Sequence, residues 1–281
     1  MKTLLWLAAL LACQVQAQAQ QHAQRIIALS PHLVEQLYSI GAGDRLVAAT
    51  EHADYPADAR QLPRVGNYMQ LNIEQILLLK PDLVLAWTDG NPPADVSRLR
   101  ALGLNLVESN PRQLQDIAAE LRLLGQLTGQ QAQAEQQASL FEQQLSALKQ
   151  RYQQQNKVRV FYELWADPLS TVANQAWPQQ QLALCGAENP FASATGDYPT
   201  VGLEQVLVSQ PLLIIQPNSE QEKRALFDWS RWTELPAVKY QQFSQPDSDL
   251  LHRTTTRMLQ GVERLCQDID KARLFYQKLA Q

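Results

Sequence analysis

Five aromatic residues lie in loops or at strand ends, where they could contact a ligand. Tyr68 and Tyr198 each stand in a loop before a helix, Tyr55 stands in a turn, and Trp87 and Trp165 follow apolar runs. Flat rings with polar edges suit a large, partly apolar ligand. Core packing is the simpler explanation for any one ring. The equivalent positions of Tyr68 and Tyr198 favour a binding role for that pair.

The sequence lacks the usual signatures of catalysis. It contains no Gly-x-Ser-x-Gly elbow, no glycine-rich phosphate loop and no His-Glu-x-x-His pair. We therefore expect a protein that is not an enzyme and that uses no cofactor. His32, His52 and His252 could converge on zinc or manganese. Scattered surface histidines are the simpler interpretation, so no metal site is predicted.

The charge balance excludes another class of partner. The 281 residues include 24 basic and 28 acidic side chains, for a net charge of −4. Sequence-independent nucleic-acid binding requires a basic face, and binding to anionic lipid requires a basic cluster. Neither partner is expected.

The first residues have the character of an export signal. Lys2 precedes the apolar run 4–12, and small residues follow at Ala17 and Ala19. This run is too short to span a bilayer and is typical of a cleaved signal peptide, which we place at residues 1–19. The rival interpretation is lipid attachment at Cys13, which lies unusually close to the start. We therefore expect simple cleavage and a periplasmic protein.

Two cysteines, Cys185 and Cys266, remain after the signal is removed. Two thiols in an exported protein suggest one disulfide, which would lie within the second half of the chain. Two buried free thiols are the alternative.

A gapless internal repeat divides the mature chain. The segment 66–77 (GNYMQLNIEQIL) recurs 130 positions later as 196–207 (GDYPTVGLEQVL). The match continues through Pro81 and Pro211 into the runs 82–85 (DLVL) and 212–215 (LLII). In each unit the proline ends a short helix, and a buried strand follows. We interpret the repeat as a duplication.

Alternating helices and short apolar strands predict two similar α/β lobes with central parallel sheets. We place the N-terminal lobe at 20–129 and the C-terminal lobe at 157–281. Among the predicted elements are helices over 93–101, 113–127 and about 254–274, and a strand over 104–107. In open α/β sheets, ligands bind beyond the carboxyl ends of the strands, so we expect a ligand cleft between the lobes.

The segment between the lobes, 130–156, predicts one long helix. Residues 130–155 contain neither Gly nor Pro, and apolar residues recur at spacings of three and four. They form a stripe of Ala134, Ala138, Phe141, Leu145, Leu148 and Tyr152. A disordered linker would not need this stripe, so we expect a rigid strut.

These features together resemble a family of periplasmic substrate-binding proteins whose two lobes are joined by one long helix. The runs 25–31 (RIIALSP), 54–56 (DYP) and 78–87 (LLKPDLVLAW) carry the resemblance, which covers nearly the whole mature chain. Members of this family serve ABC importers of vitamin B12, iron chelates, haem and some metals. The resemblance is strongest for the members that bind vitamin B12.

The resemblance implies a role for several residues. Glu74 and Glu204 match glutamates, one on each lobe, that dock a membrane permease dimer with its ATPase subunits. Cys185 and Cys266 match the family's disulfide. A monomer that carries cobalamin as its transported ligand is implied. The ligand contacts implied are Tyr55, Tyr68, Trp87, Trp165, Tyr198, Asp249 and Arg253.

One departure leaves an alternative ligand open. Tryptophan is expected at the positions of Tyr68 and Tyr198 in a vitamin B12 binder. Haem or an iron–siderophore chelate could use the same cleft, with Tyr68 or Tyr198 as a tyrosinate ligand to haem iron. The transport role is the same in either case.

Overall fold

The computed structural model describes residues 22–219 and 224–281. The predicted signal peptide, residues 1–19, and the possible lipid site at Cys13 lie outside these residues. The lobe boundaries at 129/130 and 156/157 stay a prediction. The first lobe below is the part before residue 130, and the second lobe is the part after residue 156.

The N-terminal lobe is built on a four-stranded parallel sheet. Its strands are β1 (Ile26–Ala28), β2 (Leu46–Ala49), β3 (Leu83–Trp87) and β4 (Leu106–Ser109), in the order β2-β1-β3-β4. Its helices are α1 (Pro31–Ser39), α2 (Ile73–Leu78), α3 (Pro93–Ala101) and α4 (Asp116–Thr128). The central strands β1 and β3 are apolar and, apart from the half-buried Trp87 at the end of β3, they are buried because helices cover the sheet.

Helix α5 (Gln131–Tyr152) joins the lobes. It spans 22 residues, or roughly 33 Å at the α-helical rise. All six residues of its predicted stripe are buried. They belong to one apolar core that includes Leu33 and Leu121 of the first lobe and Val160 and Leu265 of the second. The helix is therefore packed along its length rather than suspended between the lobes.

The C-terminal lobe has the same sheet order. Its parallel strands are β5 (Val158–Tyr162), β8 (Ala187–Glu188), β9 (Leu213–Ile215) and β10 (Phe243–Ser244), and a small antiparallel pair is formed by β6 (Trp165–Ala166) and β7 (Leu169–Ser170). The order β8-β5-β9-β10 corresponds to β2-β1-β3-β4. The helices are α6 (Trp177–Leu184), α7 (Leu203–Ser209), α8 (Pro236–Lys239), α9 (Ser248–His252) and α10 (Met258–Leu279).

The repeat seen in the sequence has a matching backbone. Gly66 and Gly196 both have positive φ angles, of 125° and 82°, which glycine adopts without steric cost. Lys80 and Gln210, which follow α2 and α7, both have a φ of 47°. The loops before the two helices and the turns after them therefore share positive φ angles at corresponding positions.

Three predicted boundaries are wrong for identifiable reasons. The fourth strand begins at Leu106, because residues 104–105 complete the turn after α3, where the Leu104 amide reaches the Leu99 carbonyl. Helix α4 begins at Asp116, whose carboxylate accepts the backbone amides of residues 112 and 113 in the preceding turn. The last predicted helix, about 254–274, is displaced along the chain: α10 spans Met258–Leu279, because the residues before it form a turn in which the Met258 amide donates to the Thr255 carbonyl.

Candidate ligand-binding cleft

A cavity of about 370 Å³ lies between the lobes. This volume is in the range of small-molecule sites. Both lobes contribute to it, and apolar and aromatic groups predominate. The lining residues are Pro31, His32, Trp87, Leu164, Trp165, Trp177, Pro178, Tyr198, Arg224, His252, Arg253 and Thr254.

Aromatic rings form opposite walls of this cavity. Trp87 ends strand β3, and the edge of the His32 ring lies against it with the centroids 5.3 Å apart. Trp165 lies in the β6–β7 hairpin with half of its surface exposed, and the Arg224 guanidinium lies 4.4 Å from its ring centroid. Tyr198, in the loop before α7, is 54% exposed. These rings offer flat faces to a ligand between the lobes.

Arg253 is one of two arginines that line the cavity, and two carboxylates hold it. Its Nη1 lies 2.6 Å from Asp54 Oδ1 of the other lobe, and its Nη2 lies 3.3 Å from Asp249 Oδ1. Although burial alone would raise the pKa of Asp54, the hydrogen bond and charge of Arg253 hold it below the usual range. These two contacts fix the guanidinium fork in one orientation before any ligand arrives.

Arg257 forms a second contact between the lobes. Its Nε and Nη2 each donate to a Glu35 carboxylate oxygen at 2.7 Å, and its guanidinium stacks 3.4 Å from the centroid of the Tyr55 ring. The Glu35 side chain is 3% exposed. Helix α1 is therefore tied to the chain just before α10, and one face of Tyr55 is covered.

A buried polar group lies behind the Trp87 wall. His32 Nε2 is 4.0 Å from Glu120 Oε1, and Ser109 and Gln36 make hydrogen bonds to the same carboxyl group. Burial lowers the pKa of His32 to about 3. Burial also raises the pKa of Glu120 to about 8, against the hydrogen bond from Gln36. Both side chains are therefore neutral near pH 7.

Gln36 connects this buried group to the second lobe. Its Nε2 donates to Glu120 Oε2 at 2.6 Å and to the Thr254 carbonyl at 2.7 Å. On the other side of the cleft, His252 Nε2 lies 2.8 Å from the Tyr162 hydroxyl. Burial is the main cause that lowers the pKa of His252 to about 4, so this ring is neutral as well.

A sequence profile described as periplasmic binding protein matches residues 26–250. The chain belongs to this family. The vitamin B12-binding protein of Vibrio cholerae is 40% identical over 245 residues, which are 87% of this chain and 88% of that protein. The corresponding protein of Vibrio vulnificus is 38% identical over 269 residues and covers 95% of this chain and 96% of its own length.

Solved structures give the same architecture. The crystal structure of the periplasmic vitamin B12 binding protein BtuF of Vibrio cholerae superposes with a TM-score of 0.82, at 40% identity, over 89% of this chain and 98% of that one. The periplasmic heme-binding protein RhuT of Roseiflexus, at 21% identity and a TM-score of 0.76, covers 89% of this chain and 99% of its own. At that identity it shows the fold alone.

In this periplasmic binding protein, four of the predicted contact residues meet at one cavity: Trp87, Trp165, Tyr198 and Arg253. Three others do not line it. Asp249 and Tyr55 are adjacent to it through the two arginines, and Tyr68 has 69% of its surface exposed.

Several residues of the site are not indicated by the sequence. Trp177, at the start of α6, and Arg224 line the cavity but lie in no recognisable motif. His32 and His252 line the same cavity, whereas His52 is exposed in a turn. Within the described residues, no group of three or more His, Cys, Asp or Glu side chains could hold a metal ion.

The predicted docking residues lie on the surface. Glu74 is in the first turn of α2 and Glu204 in the first turn of α7, and both are exposed. Neither carboxylate has a hydrogen-bond or ion-pair partner among residues 22–219 and 224–281. A carboxylate in a first helical turn is favoured by the helix dipole.

The predicted disulfide is present. Cys185, at the end of α6, and Cys266, within α10, are bonded with their Cα atoms 4.7 Å apart. The bond fastens two helices of the C-terminal lobe. None of the described helices is both long enough and apolar enough to cross a bilayer.

Proposed function

We propose that this protein captures vitamin B12, or a related corrinoid, in the periplasm and delivers it to the permease of an ABC importer. The observation that carries the proposal is the cleft itself. Trp87 and Trp165 face one cavity from different lobes, and Arg253 is fixed beside them by Asp54 and Asp249. A corrinoid has a broad apolar ring and a fringe of amides, which match rings and a guanidinium respectively.

A corrinoid is larger than this cavity, so part of it would remain at the rim. There the exposed Tyr68 ring and the uncovered face of Tyr55 are available. We assign them contacts with the ligand's periphery. Asp249 acts by holding Arg253. The proposal assigns no chemical step to the chain: a monomer binds, carries and releases its ligand.

Haem is the alternative cargo, and the environment of Tyr198 argues against it. Tyrosine binds haem iron as the anion. Burial first, and then the carboxylates of Asp197 and Asp89, raise the pKa of Tyr198. This shift opposes formation of the tyrosinate. The corrinoid proposal needs only the neutral ring.

Calorimetry with cyanocobalamin, cobinamide and haemin tests the cargo. We expect both corrinoids to bind one per protein and haemin not to bind. Tyr198→Ala should weaken corrinoid binding about tenfold, because it removes one wall of the cavity. Tyr240→Ala is the matched control, since Tyr240 packs against Phe275 and Tyr276 elsewhere in the lobe. Tight haemin binding without corrinoid binding would overturn the proposal.

Delivery is proposed to use Glu74 and Glu204 as anchors on the permease. One exposed carboxylate on each lobe would steer the protein and fix its orientation on a two-subunit partner. The variant with both Glu74→Ala and Glu204→Ala should lose uptake while keeping its affinity for cyanocobalamin. An equal loss of ligand affinity would contradict the docking role.

A further inference from the structure

Two large apolar side chains stand almost fully in solvent on corresponding helices. Leu78, at the end of α2, is 79% exposed, and Val208, in α7, is 83% exposed. They are 130 positions apart, which is the offset of the internal repeat. A single exposed leucine needs no explanation. Two exposed apolar residues at corresponding positions in both halves do need an explanation.

The surrounding positions show that the fold does not require these side chains. The preceding buried pair, Ile76 and Val206, is 0% exposed and holds both helices on their lobes. The next pair, Leu79 and Ser209, is half-buried and differs in chemistry. Leu78 and Val208 are thus apolar although they are almost fully exposed and contribute nothing to the core.

Each apolar side chain lies on the same helix face as a docking carboxylate. Leu78 follows Glu74 by four residues, and Val208 follows Glu204 by four. Residues four apart are neighbours on a helix surface. Each lobe therefore presents an unpartnered carboxylate with an exposed apolar group one turn away.

We propose that Leu78 and Val208 are the apolar half of each docking site. The occupant is the two-subunit permease of the proposed function, on which this inference rests. Each subunit is expected to offer a cation for the carboxylate and, one helical turn away, an apolar recess for Leu78 or Val208.

The charged contact and the apolar contact contribute differently to binding. A charge pair at the rim of an interface mainly raises the association rate and sets orientation, and salt screens it. Burial of an apolar side chain supplies affinity that salt does not screen. Paired contacts on two lobes also add to each other, because binding at one site brings the second close to its partner.

The test uses the full mature protein loaded with cyanocobalamin and inner-membrane vesicles that carry its permease. Leu78→Ala and Val208→Ala should each weaken vesicle binding about tenfold, and Leu78→Met should restore it. Leu140→Ala is the matched control: Leu140 is a 47% exposed leucine in α5 with Gln136 one turn before it. Cyanocobalamin affinity should be unchanged in all four variants.

Salt separates the apolar contact from the charged one. Between about 0.05 M and about 1 M salt, the loss caused by Leu78→Ala should persist, while the loss caused by Glu74→Ala should shrink. If Leu78→Ala and Val208→Ala match Leu140→Ala while Glu74→Ala weakens binding, the apolar contact is refuted and the docking role stands. If the loaded wild-type protein does not bind the vesicles, the transport role falls, and this inference with it.

Discussion

Replacing Glu120 with glutamine should change how the stability of the fold depends on pH. The carboxyl group is buried behind Trp87, where burial raises its pKa to about 8, compared with 4.5 in an exposed chain. Between these values the folded protein keeps a proton that the unfolded chain releases. Stability from this group is therefore complete below pH 4.5 and declines as the pH rises towards 8. Glutamine keeps the shape and does not titrate.

The change in unfolding free energy follows from the pH range between the unfolded and folded pKa values of Glu120. Each pH unit in it is worth about 1.4 kcal/mol of unfolding free energy. Between pH 6.5 and pH 8 the wild-type protein should lose about 2 kcal/mol through Glu120. The Glu120→Gln variant should not lose it. Its stability relative to wild type should therefore rise by about 2 kcal/mol over this interval.

His32 has the opposite sign on the acid side. Burial lowers its pKa from 6.5 to about 3, so the folded protein binds fewer protons than the unfolded chain between these values. Stability from His32 is complete above pH 6.5 and is lost as the pH falls towards 3. Between pH 4.5 and 6.5 the two slopes oppose each other. A plateau is expected there in the wild-type protein. His32→Gln should abolish it, because the stability of the variant should no longer fall on the acid side and should already decline with rising pH between pH 4.5 and 6.5 through Glu120.

Urea unfolding followed by tryptophan fluorescence, with the disulfide intact, measures these slopes. Glu188→Gln, at an exposed carboxylate in β8, is the control for replacing a carboxylate with an amide away from the cleft. A difference between Glu120→Gln and wild type that does not change with pH would refute the reasoning. It would mean that Glu120 is ionised in the folded protein, paired with a protonated His32 across 4.0 Å.

Three further predictions follow from single contacts. Arg257→Ala should lower the free energy of unfolding in urea by about 3 kcal/mol, because it leaves the buried Glu35 carboxylate without its cation. The double variant Glu35→Gln with Arg257→Met should recover most of that loss. Replacing Cys185 and Cys266 together with serine should cost about 4.5 kcal/mol, since the bond closes a loop with a sequence separation of 81. Arg253→Ala should weaken cyanocobalamin binding in calorimetry by about tenfold or more, and Arg253→Lys should restore it only in part, because lysine lacks the planar fork.

The elements that were predicted well depend on local sequence. Helix α2 begins at Ile73, where the Asn72 side chain accepts the Gln75 amide at 3.0 Å, and Pro81 prevents its extension. Strand β3 then runs over Leu83–Trp87 as the apolar pattern indicates. A cap, a proline and a run of buried residues are all visible within fifteen positions of one another, so no knowledge of the tertiary structure was needed.

The features that the sequence does not reveal depend on distant contacts. The chain is extended at Arg253, between α9 and α10, where the guanidinium reaches Asp54, 199 positions away. Nothing local marks that break. The same holds for the buried pair behind the cleft, because His32 and Glu120 come together only when α1 and α4 pack in one lobe. Sequence patterns find aromatic residues but do not show which of them share a cavity.

The two halves retain their likeness on helices α2 and α7 and lose it in the cleft, and the proposed function offers one physical reason for both. Under the proposed function, a two-subunit permease would offer the same surface twice and would require the same carboxylate and apolar side chain on each lobe, as at Glu74 and Glu204. A single ligand between the lobes has no such symmetry. Its two walls can differ, and here they do: a buried His32–Glu120 pair backs the first lobe, and a His252–Tyr162 hydrogen bond backs the second.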